Sequence, residues 1–164
     1  MADMFFSRIS EAVLNEPGER EFAEGLWQMA ENCRDARAHL AAEAEENLSE
    51  AMKLIPNADS ENIVSSIIDR DPDRCSVHMA RLAVLKLVQA KEFFVNARIV
   101  SDHELKLYAQ LGRCACDKNG EMLVERVRRT EEDRQGYICA IRGINDVGDN
   151  LPVAKLGLNS VWRE

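Results

Sequence analysis

Five cysteines carry the most reactive side chains of the sequence: Cys33, Cys75, Cys114, Cys116 and Cys139. Cys114 and Cys116 stand two residues apart, and two thiolates at that spacing could share a soft metal ion. A closed zinc site needs four ligands, normally in paired clusters, and no second cluster lies near in sequence. We therefore predict no metal site and interpret these thiols as small core residues. The alternative is a metal-binding sensor that uses Cys114, Cys116 and Cys139.

Polar side chains also recur along residues 72–100, which form the most apolar part of the sequence. At helical spacing they are Arg74, His78, Arg81, Gln89, Glu92 and Asn96. Such groups on a buried helix must find partners or water, because an unpaired buried polar group is costly. The pattern fits the solvent face of a helix, an internal salt-bridge seam, or a ligand-binding face. In the last case Arg74, His78 and Arg81 would bind an anionic ligand.

No motif in the sequence identifies a reaction. There is no glycine-rich nucleotide loop, no Gly-x-Ser-x-Gly element, no His-Glu-x-x-His and no Glu-x-x-His pair of a di-iron bundle. His78 as a general base would lack a nucleophile or a second acid at motif spacing. We therefore expect a non-enzymatic protein without a cofactor.

The formal net charge of −8 is unevenly distributed: residues 1–70 hold 15 acidic against 6 basic side chains, and residues 71–164 hold 14 against 15. Affinity for nucleic acid comes largely from basic charge, so this acidic half disfavours a phosphate backbone as ligand. No apolar stretch reaches the ~18 residues of a membrane span, and the first residues lack the apolar region of a secretory signal. With an odd number of cysteines, these features predict a cytoplasmic protein with free thiols.

Two long helices would position these groups. Residues 19–54 contain no proline, and apolar or small residues recur there in steps of three and four. The members of this stripe are Phe22, Leu26, Met29, Cys33, Ala36, Leu40, Ala44, Leu48, Ala51 and Ile55. Three successive steps of four after Ala36 depart from a strict heptad and argue against a long ideal coiled coil. So long a helix exceeds what a compact domain of this size needs, so we expect it to bend or to pack on another chain.

Residues 72–100 predict the second long helix, which is apolar nearly all round and therefore belongs in the middle of a bundle. The series from Ser101 to Glu104 has the form of a capping box and predicts that a new helix begins there. Shorter helices are expected over residues 3–15 and 59–71. Residues 113–128 predict either a helix or a small β-hairpin, because an Asn-Gly pair lies within them.

Together these patterns predict an all-α bundle of five to seven helices, with one helical domain over residues 1–144 and an extended tail over residues 145–164. The function that fits best is an acidic, non-enzymatic protein-protein interaction or regulatory protein. It would form a homodimer partly along the first long helix and would have neither a membrane nor nucleic acid as partner. The alternative is a small-ligand or metal sensor that uses the face of Arg74, His78 and Arg81 or the thiols.

Overall fold

A computed structural model of the protein describes residues 17–54, 74–114 and 120–150, and each range is one α-helix. They are α1 (Pro17–Leu54, 38 residues), α2 (Arg74–Cys114, 41 residues) and α3 (Gly120–Asn150, 31 residues). Side chains are described for residues 21–54, 81–114 and 122–148. The described residues contain three helices and no strand, which supports the all-α class; the predicted number of five to seven helices is not confirmed. The further helices predicted over residues 3–15 and 59–71 lie outside the described residues.

The bounds of α1 agree with the helix predicted over residues 19–54, whereas α2 continues well past residue 100. The helix predicted to begin at Ser101 is therefore wrong. The Ser101 hydroxyl donates a hydrogen bond of 2.8 Å to the carbonyl oxygen of Ala97, one turn earlier in the same helix. A serine that bonds four residues back fits inside a continuous helix, so it does not cap a new one.

The hairpin alternative is wrong for residues 120–128, since they form the first turns of α3. Residues 115–119 are outside the described part of the chain. At its other end α3 includes residues 145–150, which the sequence pattern assigned to the extended tail. The helical alternative is thus correct for residues 120–150, and the helix extends further than its glycines suggested.

All three helices bury side chains with a heptad period. In α1, buried or half-buried positions in alternating steps of three and four are Ala23, Leu26, Ala30, Cys33, Arg37, Leu40, Ala44, Asn47, Ala51 and Leu54, and Trp27 is buried beside them. In α2 the buried positions that follow the same rule are Ala83, Leu87, Ala90, Phe94, Ala97, Ser101, Glu104, Tyr108 and Leu111. This is the pattern of helices that pack side by side along their length. The buried positions of α1 thus keep a heptad spacing that the apolar stripe predicted from the sequence does not have.

The buried positions of α1 differ from the predicted apolar stripe because of Trp27. Trp27 is 1% exposed, whereas Phe22 and Met29 are 58% and 54% exposed. Trp27 and Phe22 are five residues apart and so point about 140° apart around a helix. One core on one side of α1 cannot bury both. Burial of the larger indole turns α1 so that Ala23 and Ala30 face inward. The apolar stripe chosen from the sequence therefore stands one residue out of place in this part of α1.

The chain divides into two compact units, each with a segment of every helix. Unit 1 comprises residues 1–39 and 96–137, and unit 2 comprises residues 40–95 and 138–164. The apolar core of unit 1 contains Ala23, Leu26, Trp27, Ala30, Tyr108, Leu111 and Leu123. The Trp27 and Tyr108 rings pack with centroids 6.3 Å apart and planes tilted by 52°. Aromatic side chains thus supply much of the buried volume in unit 1.

Unit 2 has a core of smaller side chains. Its buried apolar residues in the described ranges are Ala44, Ala51, Ala83, Val84, Leu87, Ala90, Phe94 and Ile144. Alanine at the core positions of α1 and α2 lets helix backbones approach closely but buries little apolar area for each residue. The polar Asn47 occupies one core position of α1 and is 9% exposed.

Candidate functional site

The most unusual feature of unit 1 is a polar layer built on the buried side chains of Arg37 of α1, Glu104 of α2 and Thr130 of α3. The half-buried Tyr137 and the exposed Asp133 of α3 complete it. The Nε of Arg37 donates to both carboxylate oxygens of Glu104 at 3.2 Å. Its Nη1 donates to Asp133 at 2.6 Å and to the Tyr137 hydroxyl oxygen at 3.3 Å. One guanidinium therefore bonds to both other helices of the unit.

Heptad spacing puts Arg37 and Glu104 in the core. Arg37 lies seven residues after Ala30 and seven before Ala44, and Glu104 lies seven after Ala97. The side chains of Arg37 and Glu104 are 6% and 0% exposed. The Thr130 hydroxyl is within hydrogen-bond reach of Glu104 and of a carbonyl oxygen in its own helix, and its single proton serves one acceptor at a time.

Burial alone would lower the pKa of Arg37, but its hydrogen bonds to Asp133 and Tyr137 and the charge of Glu104 outweigh burial and raise that pKa. Arg37 is thus a fixed cation at every accessible pH. A group that keeps its charge at every accessible pH does not serve as a general acid or base. The polar layer is therefore suited to join the helices in one register, which is the best-attested use of buried polar residues in heptad packing.

A second polar contact lies close to the Trp27 ring. The Arg126 guanidinium stands 5.2 Å from the centre of that ring, in the geometry of a cation-π contact. Its Nη2 lies 3.1 Å from a Glu31 carboxylate oxygen, an ion pair whose geometry falls short of a hydrogen bond.

The hydroxyl of Tyr108 is buried and makes no hydrogen bond with the described residues. Burial, and then the charge of Glu104, raise the pKa of Tyr108 to about 12.

The half-buried thiol of Cys33 also belongs to unit 1. Burial, and next the negative charge of Glu104, raise the pKa of this thiol above its usual value. A thiol held in its protonated form is a poor nucleophile and a poor metal ligand. Cys33 thus fits the core role predicted from the sequence.

The predicted ligand face begins α2, where Arg74 and His78 occupy the first two turns and have side chains outside the described ones. Arg81 is exposed, as are Gln89, Glu92 and Asn96 further along the same stripe. The described part of this stripe is accordingly a solvent face. That Arg74, His78 and Arg81 bind an anion stays a prediction.

The predicted thiol group is described only in part. Cys114, in unit 1, is half-buried, and Cys139, in unit 2, is exposed; neither forms a disulfide, and Cys116 lies outside the described residues. Within the described ranges no three His, Cys, Asp or Glu side chains are grouped to hold a metal ion. A metal sensor based on these thiols likewise stays a prediction.

Arg128, Glu131, Glu132, Arg134 and Gln135 line a shallow open depression along α3. Arg128 pairs with Glu125 at 2.7 Å and with Glu132, one turn away on each side. Hydrogen bonds from Arg128 and Arg129 lower the pKa of Glu125 to about 2. These charges are largely satisfied within the helix, which is the usual state of an exposed helical surface.

Unit 2 contains its own polar contact between α1 and α2. The Nζ of Lys86 lies 2.7 Å from a Glu50 carboxylate oxygen and 3.5 Å from Oδ1 of Asn47. Nδ2 of Asn47 donates to the carbonyl oxygen of Glu43 at 2.8 Å. Asn47 therefore occupies its core position with both ends of its amide engaged.

The apolar residues that the core leaves outside define a second face of α1. Its exposed members lie in steps of three and four and are Phe22, Gly25, Met29, Asn32 and Ala36. We call this the outer face of α1. It is uncharged although α1 is strongly acidic, and it contains two of the most exposed large apolar side chains described. Such side chains at heptad spacing are the usual mark of a helix that packs against a partner.

The sequence pattern predicts neither the polar layer nor the outer face, because the apolar stripe predicted for α1 excludes Arg37 and the Ser101–Glu104 spacing is that of a capping box. A stripe through Arg37 would have predicted a buried arginine, and the buried Glu104 was interpreted as a cap.

No helix in the described ranges is long and apolar enough to cross a membrane. No protein-family model matches the chain, and no curated protein or solved structure matches it either.

Proposed function

We propose that this chain is a non-enzymatic helical protein that acts through protein-protein contacts and self-associates along α1. The observation that carries this proposal is the exposure of Phe22 and Met29, at 58% and 54%, on one face of a helix with heptad packing. Exposed apolar side chains on a shared face cost free energy in water, which association recovers.

The use of the buried polar groups supports the same function. Arg37 and Glu104 bond to each other and to side chains of α3, so their charges serve the packing of the helices. The Cys33 thiol is held protonated by its surroundings. These groups support a scaffold more than a reaction centre.

The test is the mass in solution of the purified full-length chain at micromolar concentration, by size-exclusion chromatography with light scattering. We expect a species of twice the 18.5 kDa of one chain. The mass should fall towards that of one chain on dilution. A strict monomer at every concentration, including the highest attainable, would contradict the self-association.

A further inference from the structure

A second exposed seam lies on α2, in the part that belongs to unit 1. Its members follow one another in steps of four and three, and all are exposed: Ile99, His103, Lys106, Gln110 and Arg113. We call this the outer face of α2. Ile99 is 43% exposed at its apolar end, and the cations Lys106 and Arg113 lie on the rest, with His103 and the neutral Gln110. The face therefore combines an apolar anchor with positive charge.

The outer face of α1 has the opposite charge at its border. Glu21 and Asp35 are exposed and flank it, one near each end of the Phe22–Ala36 seam. Opposite charges around an apolar centre select a partner and its orientation. The acidic border on α1 thus matches the basic face on α2.

Gly25 adds a complementary shape. A side chain built at this position would meet nothing within 4 Å, so packing within the chain does not require glycine there. Glycine inside a helix costs about 1 kcal/mol relative to alanine. Between Phe22 and Met29 it leaves a gap that can receive an aliphatic side chain of a partner helix, in the manner of a knob in a hole.

We propose that the outer face of α1 packs against the outer face of α2 in a second copy of this chain. This inference rests on the proposed function and names the two surfaces that meet. A two-fold symmetric dimer makes the contact twice, because each copy presents both faces. Direct α1–α1 pairing is less favourable, since it would bring the acidic borders, with Glu21 and Asp35, of both copies together.

The first experiment compares single substitutions at exposed positions, which leave the core of each chain intact. We expect Met29→Lys and Ile99→Glu each to raise the dimer dissociation constant about tenfold or more, measured by analytical ultracentrifugation. The matched control is Val124→Lys on α3, because Val124 is 66% exposed but belongs to neither face. It should leave the dissociation constant unchanged.

The second experiment mixes the two weakened chains. A heterodimer of the Met29→Lys and Ile99→Glu chains retains one intact contact, between the α1 face of the latter and the α2 face of the former. We expect an equimolar mixture, each chain labelled with one dye of a transfer pair, to associate more tightly than either chain alone. As a control, two differently labelled samples of the chain that carries both substitutions should show no tighter association when they are mixed.

The electrostatic part is tested by salt and by charge reversal. Lys106→Glu should weaken the dimer, whereas Arg142→Glu, an equal change at an exposed position of α3, should not. Raising NaCl from about 0.1 M to about 1 M shortens the screening length from ~10 Å to ~3 Å and should weaken the wild-type dimer several-fold.

The outcomes separate the two proposals. A dimer that survives both Met29→Lys and Ile99→Glu would overturn the α1–α2 contact while leaving self-association in place. Loss with Met29→Lys but not with Ile99→Glu would indicate α1–α1 pairing and would also overturn it. No gain on mixing the two weakened chains would overturn it as well. A wild-type chain that is monomeric throughout would remove the proposed self-association itself.

Discussion

The Nε of Arg37 on α1 lies 3.2 Å from both carboxylate oxygens of Glu104 on α2, and the Glu104 side chain is wholly buried. Such a pair adds little net stability, because the cost of removing two charges from water offsets their attraction. It does penalise any packing that separates them. The pair therefore contributes more to the choice of one helix register than to the free energy of unfolding.

Removal of one partner of this pair should be far more harmful than removal of both. We expect Arg37→Met to lower the free energy of unfolding by about 3–5 kcal/mol, since Glu104 would stay buried without its cation. The double variant Arg37→Met with Glu104→Leu should recover most of that loss. Urea titrations followed by circular dichroism measure both. A double variant as unstable as the single one would show that the pair itself stabilises the fold.

The two tyrosines of unit 1 should respond oppositely to loss of the hydroxyl. Tyr108→Phe removes a buried hydroxyl that makes no hydrogen bond with the described residues, and we expect a gain of about 1 kcal/mol. Tyr137→Phe removes an acceptor of the Arg37 guanidinium and should cost a similar amount. Thermal unfolding of the two variants beside the wild type gives the comparison, and equal effects of the same sign would contradict it.

The raised pKa of Tyr108 predicts that the folded chain loses stability at high pH. Its pKa rises from 10.0 to about 12 in the folded chain, so folding favours the neutral phenol. Its contribution to stability is complete below pH 10 and is lost as the pH rises through about 12. We expect the midpoint of urea unfolding to fall over this range in the wild type. The fall should be smaller in Tyr108→Phe, and an identical fall in both proteins would rule out this tyrosine as its source.

Substitution of Ser101 tests whether α2 is one continuous helix or two helices with a cap between them. Because its hydroxyl bonds to the Ala97 carbonyl oxygen inside the helix, we expect Ser101→Ala to leave helix content unchanged and stability within about 0.5 kcal/mol. A capping serine would cost about 1 kcal/mol on the same change. Helix content by circular dichroism and a urea titration decide between these values.

Asn47 is a polar residue at a core position of unit 2, and we expect it to lower stability while it favours one helix register. It is 9% exposed at a core position of α1, and Lys86 approaches its side-chain oxygen. We expect Asn47→Leu to raise the midpoint of thermal unfolding, because an apolar side chain at a heptad core position is favoured. A matched control is Ser49→Leu, an exposed position on the same helix, which should give no such gain. A lower midpoint for Asn47→Leu would show that its hydrogen bonds outweigh its desolvation.

The helical class and the bounds of α1 could be predicted from sequence because local signals determine them. An unbroken run without proline and a period near 3.6 residues suffice for both. The rotation of α1 could not be predicted in this way, since Phe22, Met29 and Trp27 are all apolar and only the partner helices decide which are buried. The helical pattern favours the face with two apolar residues, Phe22 and Met29, whereas the fold buries the single larger side chain of Trp27.

The continuity of α2 was missed for a related reason. Ser101 and Glu104 have the spacing of a capping box, but each has a second use inside a helix, as a donor to the preceding turn and as a buried counterion. The counterion, Arg37, is 67 residues away along the chain. A contact at that separation has no local signature, so neither the polar layer nor the uninterrupted helix could be deduced from the motif alone.

The alanine-rich core of unit 2 has a consequence for how the chain opens. Ala44, Ala51, Ala83 and Ala90 bury little area, whereas unit 1 buries Trp27, Tyr108 and three leucines. We therefore expect two tiers of amide hydrogen-deuterium exchange within each helix, faster over residues 40–54, 74–95 and 138–150 and slower over residues 17–39, 96–114 and 120–137. One unbroken helix would then contain both an easily opened segment and a segment that exchanges only when the whole chain unfolds.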